Sequence, residues 1–212
     1  MNIFGFDGKF YRIGTVLADI LLIGLLWTIF SLPIITMGAT TTALYYVCTK
    51  KASGKDGYIF KEFLKSFKDN FVQSTSVFLL LILLSYIVWL NLRLLGMEDM
   101  ERLGLPVTIA LYFLLLQIIM IATHVFCIIA RFETTVFKAM KSALYMAYRH
   151  LFSTITSLVL LLAIVFVALS LPELIIFMMG IYIYFSSSLF VKMFRKHYPD
   201  FDEVASDTTT LE

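Results

Sequence analysis

Charge is what this sequence has least of. Only 15% of its residues are Asp, Glu, Lys or Arg, against about 25% in soluble domains, and they gather in a few short stretches. A water-facing surface needs more charge, spread more evenly, so an ordinary soluble domain is excluded. The motifs of familiar chemistries are missing too. There is no G-x-S-x-G, no H-E-x-x-H and no G-x-x-x-x-G-K-[ST], and the histidines are only His124, His150 and His197. No enzyme, cofactor or metal centre is therefore expected. A dispersed net charge of +2 gives no basic stripe, which excludes nucleic acid as a partner. The two cysteines, Cys48 and Cys127, end apolar runs beside basic residues, where no structural disulfide is expected.

What the chain does have is apolar length. Hydrophobic residues make up 60% of it and its mean hydropathy is +0.88, so the bilayer is its first partner. A hydrocarbon core of about 30 Å needs roughly 20 apolar residues as helix. Residues 13–32, 72–95, 107–130, 151–171 and 174–194 meet this, and 34–49 is a weaker candidate, about 24 Å long at 1.5 Å per residue. The first run is long and lacks an A-x-A-like cleavage site, so it reads as a retained span.

Lys and Arg decide whether 34–49 crosses, because they accumulate on the cytoplasmic side. If all six segments cross, fifteen of the seventeen fall on one side: Lys9, Arg12, Lys50, Lys51, Lys55, Lys61, Lys65, Lys68, Arg131, Lys138, Lys141, Arg149, Lys192, Arg195 and Lys196. Only Arg93 and Arg102 fall on the other. The expected architecture is an all-α membrane protein, a six-helix transmembrane bundle of three helical hairpins in one domain over residues 1–196. Both termini would be cytoplasmic, in a bacterial cell membrane. A re-entrant 34–49 would move the N-terminus outside.

The outer loops are short, and each longer inner loop holds an amphipathic stretch. Over 58–71, Phe60, Phe63, Leu64, Phe67 and Phe71 recur at helical spacing with Lys61, Lys65 and Lys68 on another face. Over 134–150, Phe137, Met140, Leu144 and Tyr148 repeat the theme, with Phe152 beyond. Two readings fit: helices lying on the inner membrane surface, or extensions of the following spans packed on their neighbours. An offset of 81 residues aligns Phe67-Lys68 with Tyr148-Arg149 and Thr75-Ser76 with Thr156-Ser157, which points to repeated hairpins. Residues 197–212 carry Asp200, Asp202, Glu203, Asp207 and Glu212 without Lys or Arg beyond His197, and read as an acidic cytoplasmic tail.

Within Trp27 to Tyr46, WTIFSLPIITMGATTTALYY, Pro33 ends one helix and starts the next. Gly38, Ala39, Thr40, Thr41, Thr42 and Ala43 give a small-residue face that lets helix backbones approach closely. A packing motif of Trp27, Pro33, Gly38, Ala39, Thr42 and Ala43 is one reading and a substrate site the other. This stretch, with Gly57-Tyr58-Ile59-Phe60 and Phe63 to Phe67, resembles the YesL-type family of bacterial, mainly Firmicute, integral membrane proteins of unknown function. The resemblance implies association with carbohydrate uptake, and hence permease subunits of an ABC-type sugar importer as partners. No E-A-A-type coupling motif occurs in 58–71, so the chain is expected as an accessory component, not as the permease.

Ionisable groups inside hydrocarbon are costly and mark candidate sites. Asp19 lies seven residues after Arg12, and His124 seven before Arg131 on a span of opposite direction. The expected depth is therefore similar, about 10 Å along each helix. Gln117, one heptad from His124, completes a candidate intramembrane polar site of Asp19, Gln117 and His124. The competing reading has Asp19 reaching the headgroups and His124 packed in the interior. Ser186, Ser187 and Ser188, after Tyr182 and Tyr184, would either line a polar groove or bond to backbone. An accessory membrane protein that binds an importer, or associates with itself, is thus set against a small transporter or channel whose pathway these polar residues would line.

Overall fold

The computed structural model describes residues 9–54, 57–95 and 104–197. These residues form seven α-helices and no strands: α1 (Lys9–Phe30), α2 (Met37–Ala52), α3 (Ile59–Leu95), α4 (Gly104–Ile129), α5 (Val136–Arg149), α6 (Leu151–Ser170) and α7 (Ile175–His197). Four segments are long and apolar enough to cross a membrane: Ile59–Leu95, Gly104–Ile129, Leu151–Ser170 and Ile176–Arg195. Gly14–Phe30 is apolar but shorter. This is the build of a helical membrane protein. The loop 96–103 and the acidic tail from 198 lie outside the described residues.

Local chemistry sets the helix limits. Pro33 disfavours helix at the residue before it, so α1 stops at Phe30 and the chain restarts through a short 3-10 turn, Ile34–Thr36. The carbonyl at the end of α1 would be orphaned, but Phe30 O accepts from Thr36 Oγ1 at 2.5 Å and from Thr40 Oγ1 at 3.1 Å. Thr36, just before α2, and Thr40, within it, thereby tie α2 to the end of α1. At the far end of α2, Gly54 takes φ +79° and its N–H donates to Lys51 O at 2.9 Å. A left-handed residue just past a helix end is normally glycine.

The two amphipathic stretches differ. Between Ile59 and Leu95 there is no Gly or Pro, so the Lys-bearing half and the apolar half form one rod. Its Phe63 is fully buried and sits edge-on to Phe30 at 4.9 Å, with Phe67 at 5.5 Å from the same ring. The first stretch is thus an extension packed on its neighbours. The second is a separate helix, α5, broken from α6 at His150, whose φ of −119° and ψ of 51° leave the helical region. The aligned positions around Phe67 and Tyr148 therefore differ in local structure.

Facing pairs give the helix directions. Asp19 lies opposite Lys51 and Trp27 opposite Thr41, so α1 and α2 are antiparallel. α2 and α3 are antiparallel too, with Lys50 against Glu62 at one end and Gly38 against Ser74 and Phe78 at the other. α7 runs with α2, pairing Tyr45 with Ser186 and Ser53 with Arg195. The most extensive packing joins α2 to α3 and α1 to α7, so the first and last helices of the chain lie side by side.

α2 occupies the centre. It touches α1, α3, α4 and α7, and ten of its residues are buried, from Gly38 and Ala39 to Cys48 and Thr49. Large apolar side chains point outward instead from α3, α4 and α6, among them Leu83, Trp89, Ile109, Phe113, Leu162, Phe166 and Leu169. A helix shielded by four others need not be apolar enough to face lipid, which is why the segment reads weakly in hydropathy.

α1 and α7 cross through two glycines that the sequence reading did not single out. A Cβ on Gly24 would strike the Ile176 carbonyl, and one on Gly180 the Ile20 carbonyl. Gly180→Ala or Gly24→Ala should therefore cost about 1–3 kcal/mol, as overpacking does. Gly14→Ala, which meets nothing within 4 Å, should be neutral or slightly stabilising. Thermal unfolding of the three purified variants in one detergent checks this; equal midpoints would refute the close crossing.

Candidate functional site at the basic end of the bundle

The last turn of α2 gathers positive charge, as its exposed carbonyls favour. Lys50 is ion-paired with Glu62 of α3, and Lys51 with Asp19 of α1. Arg131, just after α4, donates from Nε to Thr49 Oγ1 at 2.6 Å, with its guanidinium carbon 5.5 Å from the centre of the Tyr46 ring. Arg195 of α7 reaches Ser53 O at 3.5 Å. Four neighbouring segments are thereby fastened to one helix end.

Beside this knot opens a cleft of about 650 Å³. One wall is α3, with Lys65, Asp69, Asn70 and Gln73 one to two turns apart; the other is the segment from Arg131 to Thr135 with Lys138 of α5, and Tyr46 lies at the back. Gln73 Nε2 donates to the Thr134 carbonyl and bridges the walls. Lys65, Asp69, Glu133 and Lys138 are exposed and form no ion pair with one another. The cleft thus offers groups of both signs that have no ion-pair partner among the described residues. No local pattern marks it in the sequence, because its walls meet only when α3 and the α4–α5 connection pack. The polar run Arg131-Phe132-Glu133-Thr134-Thr135 shows locally only that a long apolar one ends.

The three residues expected to form one intramembrane site take separate partners. Asp19 pairs with Lys51, whose long side chain reaches it from the end of α2. His124 is fully buried, with Nδ1 2.7 Å from Thr123 Oγ1, Nε2 3.3 Å from Thr154 Oγ1, and its ring against Phe190. Gln117 Oε1 accepts from the Tyr148 hydroxyl at 2.7 Å. The expected facing of Asp19 and His124 gives way to these pairings. A lysine supplies the countercharge, and hydroxyls of Thr123 on the same helix and Thr154 on α6 satisfy the imidazole, so neither residue needs the other.

The remaining singled-out residues are packed. Gly38, Ala39, Thr42 and Ala43 are buried on α2, and Trp27 Nε1 donates to Thr41 Oγ1 at 3.3 Å. Ser186 and Ser187 are fully buried; Ser186 Oγ is 3.1 Å from the Tyr45 hydroxyl, and Ser188 bonds back to Tyr184 O. Among the described residues no group of three or more His, Cys, Asp or Glu is placed to hold a metal ion.

The Asp19–Lys51 pair is mostly shielded, with Asp19 at 12% side-chain exposure. Removing one partner leaves a charge in an apolar setting, so Lys51→Met should destabilise by about 1–3 kcal/mol. Lys51→Met combined with Asp19→Asn should recover part of that loss. A double-mutant cycle by thermal or denaturant unfolding measures the coupling, and strictly additive losses would refute it.

No curated protein and no solved structure matches this chain. Residues 20–92, from α1 to near the end of α3, match the family described as "Protein of unknown function, DUF624", the one to which the YesL-type proteins belong.

Proposed function

We propose that this chain is a multi-pass protein of the bacterial cell membrane, crossing six times as three hairpins with both termini cytoplasmic, and that it acts as a non-enzymatic accessory subunit. The basic end carrying Lys50, Lys51, Arg131 and Arg195 is the cytoplasmic end, in keeping with the charge bias of inner loops. α2 crosses inside a ring of other helices, as its burial allows.

The observation that carries the accessory reading is the pairing of the singled-out polar side chains with protein neighbours. Asp19, His124 and the Oε1 of Gln117 each meet a neighbouring side chain, and the cleft is lined by none of the three residues. A transport pathway needs polar groups open to a hydrated route. What the molecule leaves uncovered is apolar flank: the most apolar stretches of α3, α4 and α6 are only 17%, 11% and 17% buried. Such a flank suits lipid and the membrane helices of a partner. The family resemblance supplies the partner's class, the permease subunits of an ABC-type carbohydrate importer; self-association would use the same flank.

Two measurements test this. Extracted in mild detergent from its native cells, the tagged chain should bring down permease subunits in stoichiometric amount, and purified protein in liposomes should pass no sugar above the empty-vesicle rate. Substrate flux without any co-purifying permease would replace this reading with a small transporter or channel. Reporter fusions after residue 54 and at the C-terminus should both report the cytoplasm; an external signal at either would refute the six-crossing topology.

A further inference from the structure

We infer that the cleft at the basic end holds a phosphoethanolamine group, the head of a zwitterionic phospholipid, with its phosphate toward Lys65, Lys138 and Arg131 and its ammonium toward Asp69 and Glu133. This goes beyond the accessory role and does not depend on any protein partner.

The location points to a lipid. On α3 the cleft spans Lys65 to Gln73, where the Lys-bearing half of the helix gives way to the apolar half, and it meets α4 at Ile129, where that apolar run ends. Both walls therefore change from apolar to polar at the cleft. In a bilayer that level is the headgroup layer, and basic pockets between membrane helices on this side are where phospholipid heads bind. A volume of about 650 Å³ is ample for such a head and the start of its chains.

The charges select among heads. Three cations line the cleft, matching a phosphate diester, for which Arg and Lys are the usual partners. Two carboxylates line it too, one on each wall, and neither Asp69 nor Glu133 has an ion-pair partner among the described residues. A purely anionic ligand would leave these carboxylates without a countercharge. A primary ammonium can donate three hydrogen bonds to them, whereas a quaternary choline has no N–H to give. Thr134, in the same wall, adds a buried hydroxyl oxygen with no hydrogen-bond partner among the described residues, a further acceptor for an N–H.

The full-length protein, purified and delipidated in detergent, is titrated with dioleoylphosphatidylethanolamine or dioleoylphosphatidylcholine at equal mole fraction. Bound lipid is counted by native mass spectrometry and stability followed by thermal unfolding. The ethanolamine lipid is expected to be retained several-fold better and to raise the unfolding midpoint. Asp69→Asn with Glu133→Gln should erase that preference, and Lys65→Gln with Lys138→Gln should weaken retention of both lipids. All four residues are exposed, so these variants are expected to fold, as their unfolding midpoints without lipid will check. Equal retention of the two lipids, or a preference that survives the carboxylate variant, would overturn the proposal. A response to soluble O-phosphoethanolamine with none to the lipid would overturn the lipid as its source.

Discussion

The structure depends on burying one helix that could not face lipid. α2 carries Gly38, Thr40, Thr41, Thr42, Tyr45, Cys48 and Thr49 in sixteen residues, and its hydroxyls would be expensive in hydrocarbon. Enclosing it on four sides turns that cost into cohesion. Small side chains let α3 and α7 approach, threonines cap the end of α1 or bond back to their own helix, and Tyr45 meets Ser186 on α7. Membrane helices gain little from the hydrophobic effect on associating, and rely on close packing and interhelical hydrogen bonds. α2 supplies both.

Once α2 is central, the basic end follows. Its last turn presents carbonyls that favour cations, and the helices around it must bring countercharge or donors to that place. Asp19, Glu62, Arg131 and Arg195 do so from four different segments. The same convergence lines up α3 with the connection after α4 and so opens the cleft. Fastening and cleft are thus two results of one arrangement, and a substitution in the α2 end is expected to disturb both.

The helices that do face lipid are built on the opposite rule. α3, α4 and α6 put Leu, Ile, Phe and Val on their outer sides and spend few polar groups. Where Asn91 and Arg93 occur, near the end of α3, Arg93 lies over Trp89 with its guanidinium carbon 5.1 Å from the ring centre, and Tyr86 stacks on the same indole. That aromatic and cationic group suits the bilayer boundary opposite the basic end.

The sequence by itself determined the helical class, the apolar segments, the break at Pro33 and the family resemblance, because these are written in local composition and spacing. It also marked Asp19, Gln117 and His124 as needing partners, since an ionisable or amide group in an apolar run always does. Which partners they take was decided only by the tertiary structure. Lys51, Thr154 and Tyr148 lie 32, 30 and 31 residues away, and no local pattern encodes how two helices are rotated against each other. The roles of Gly24 and Gly180, the continuity of α3 against the break at His150, and the cleft itself have the same origin: each is fixed by where helix faces meet.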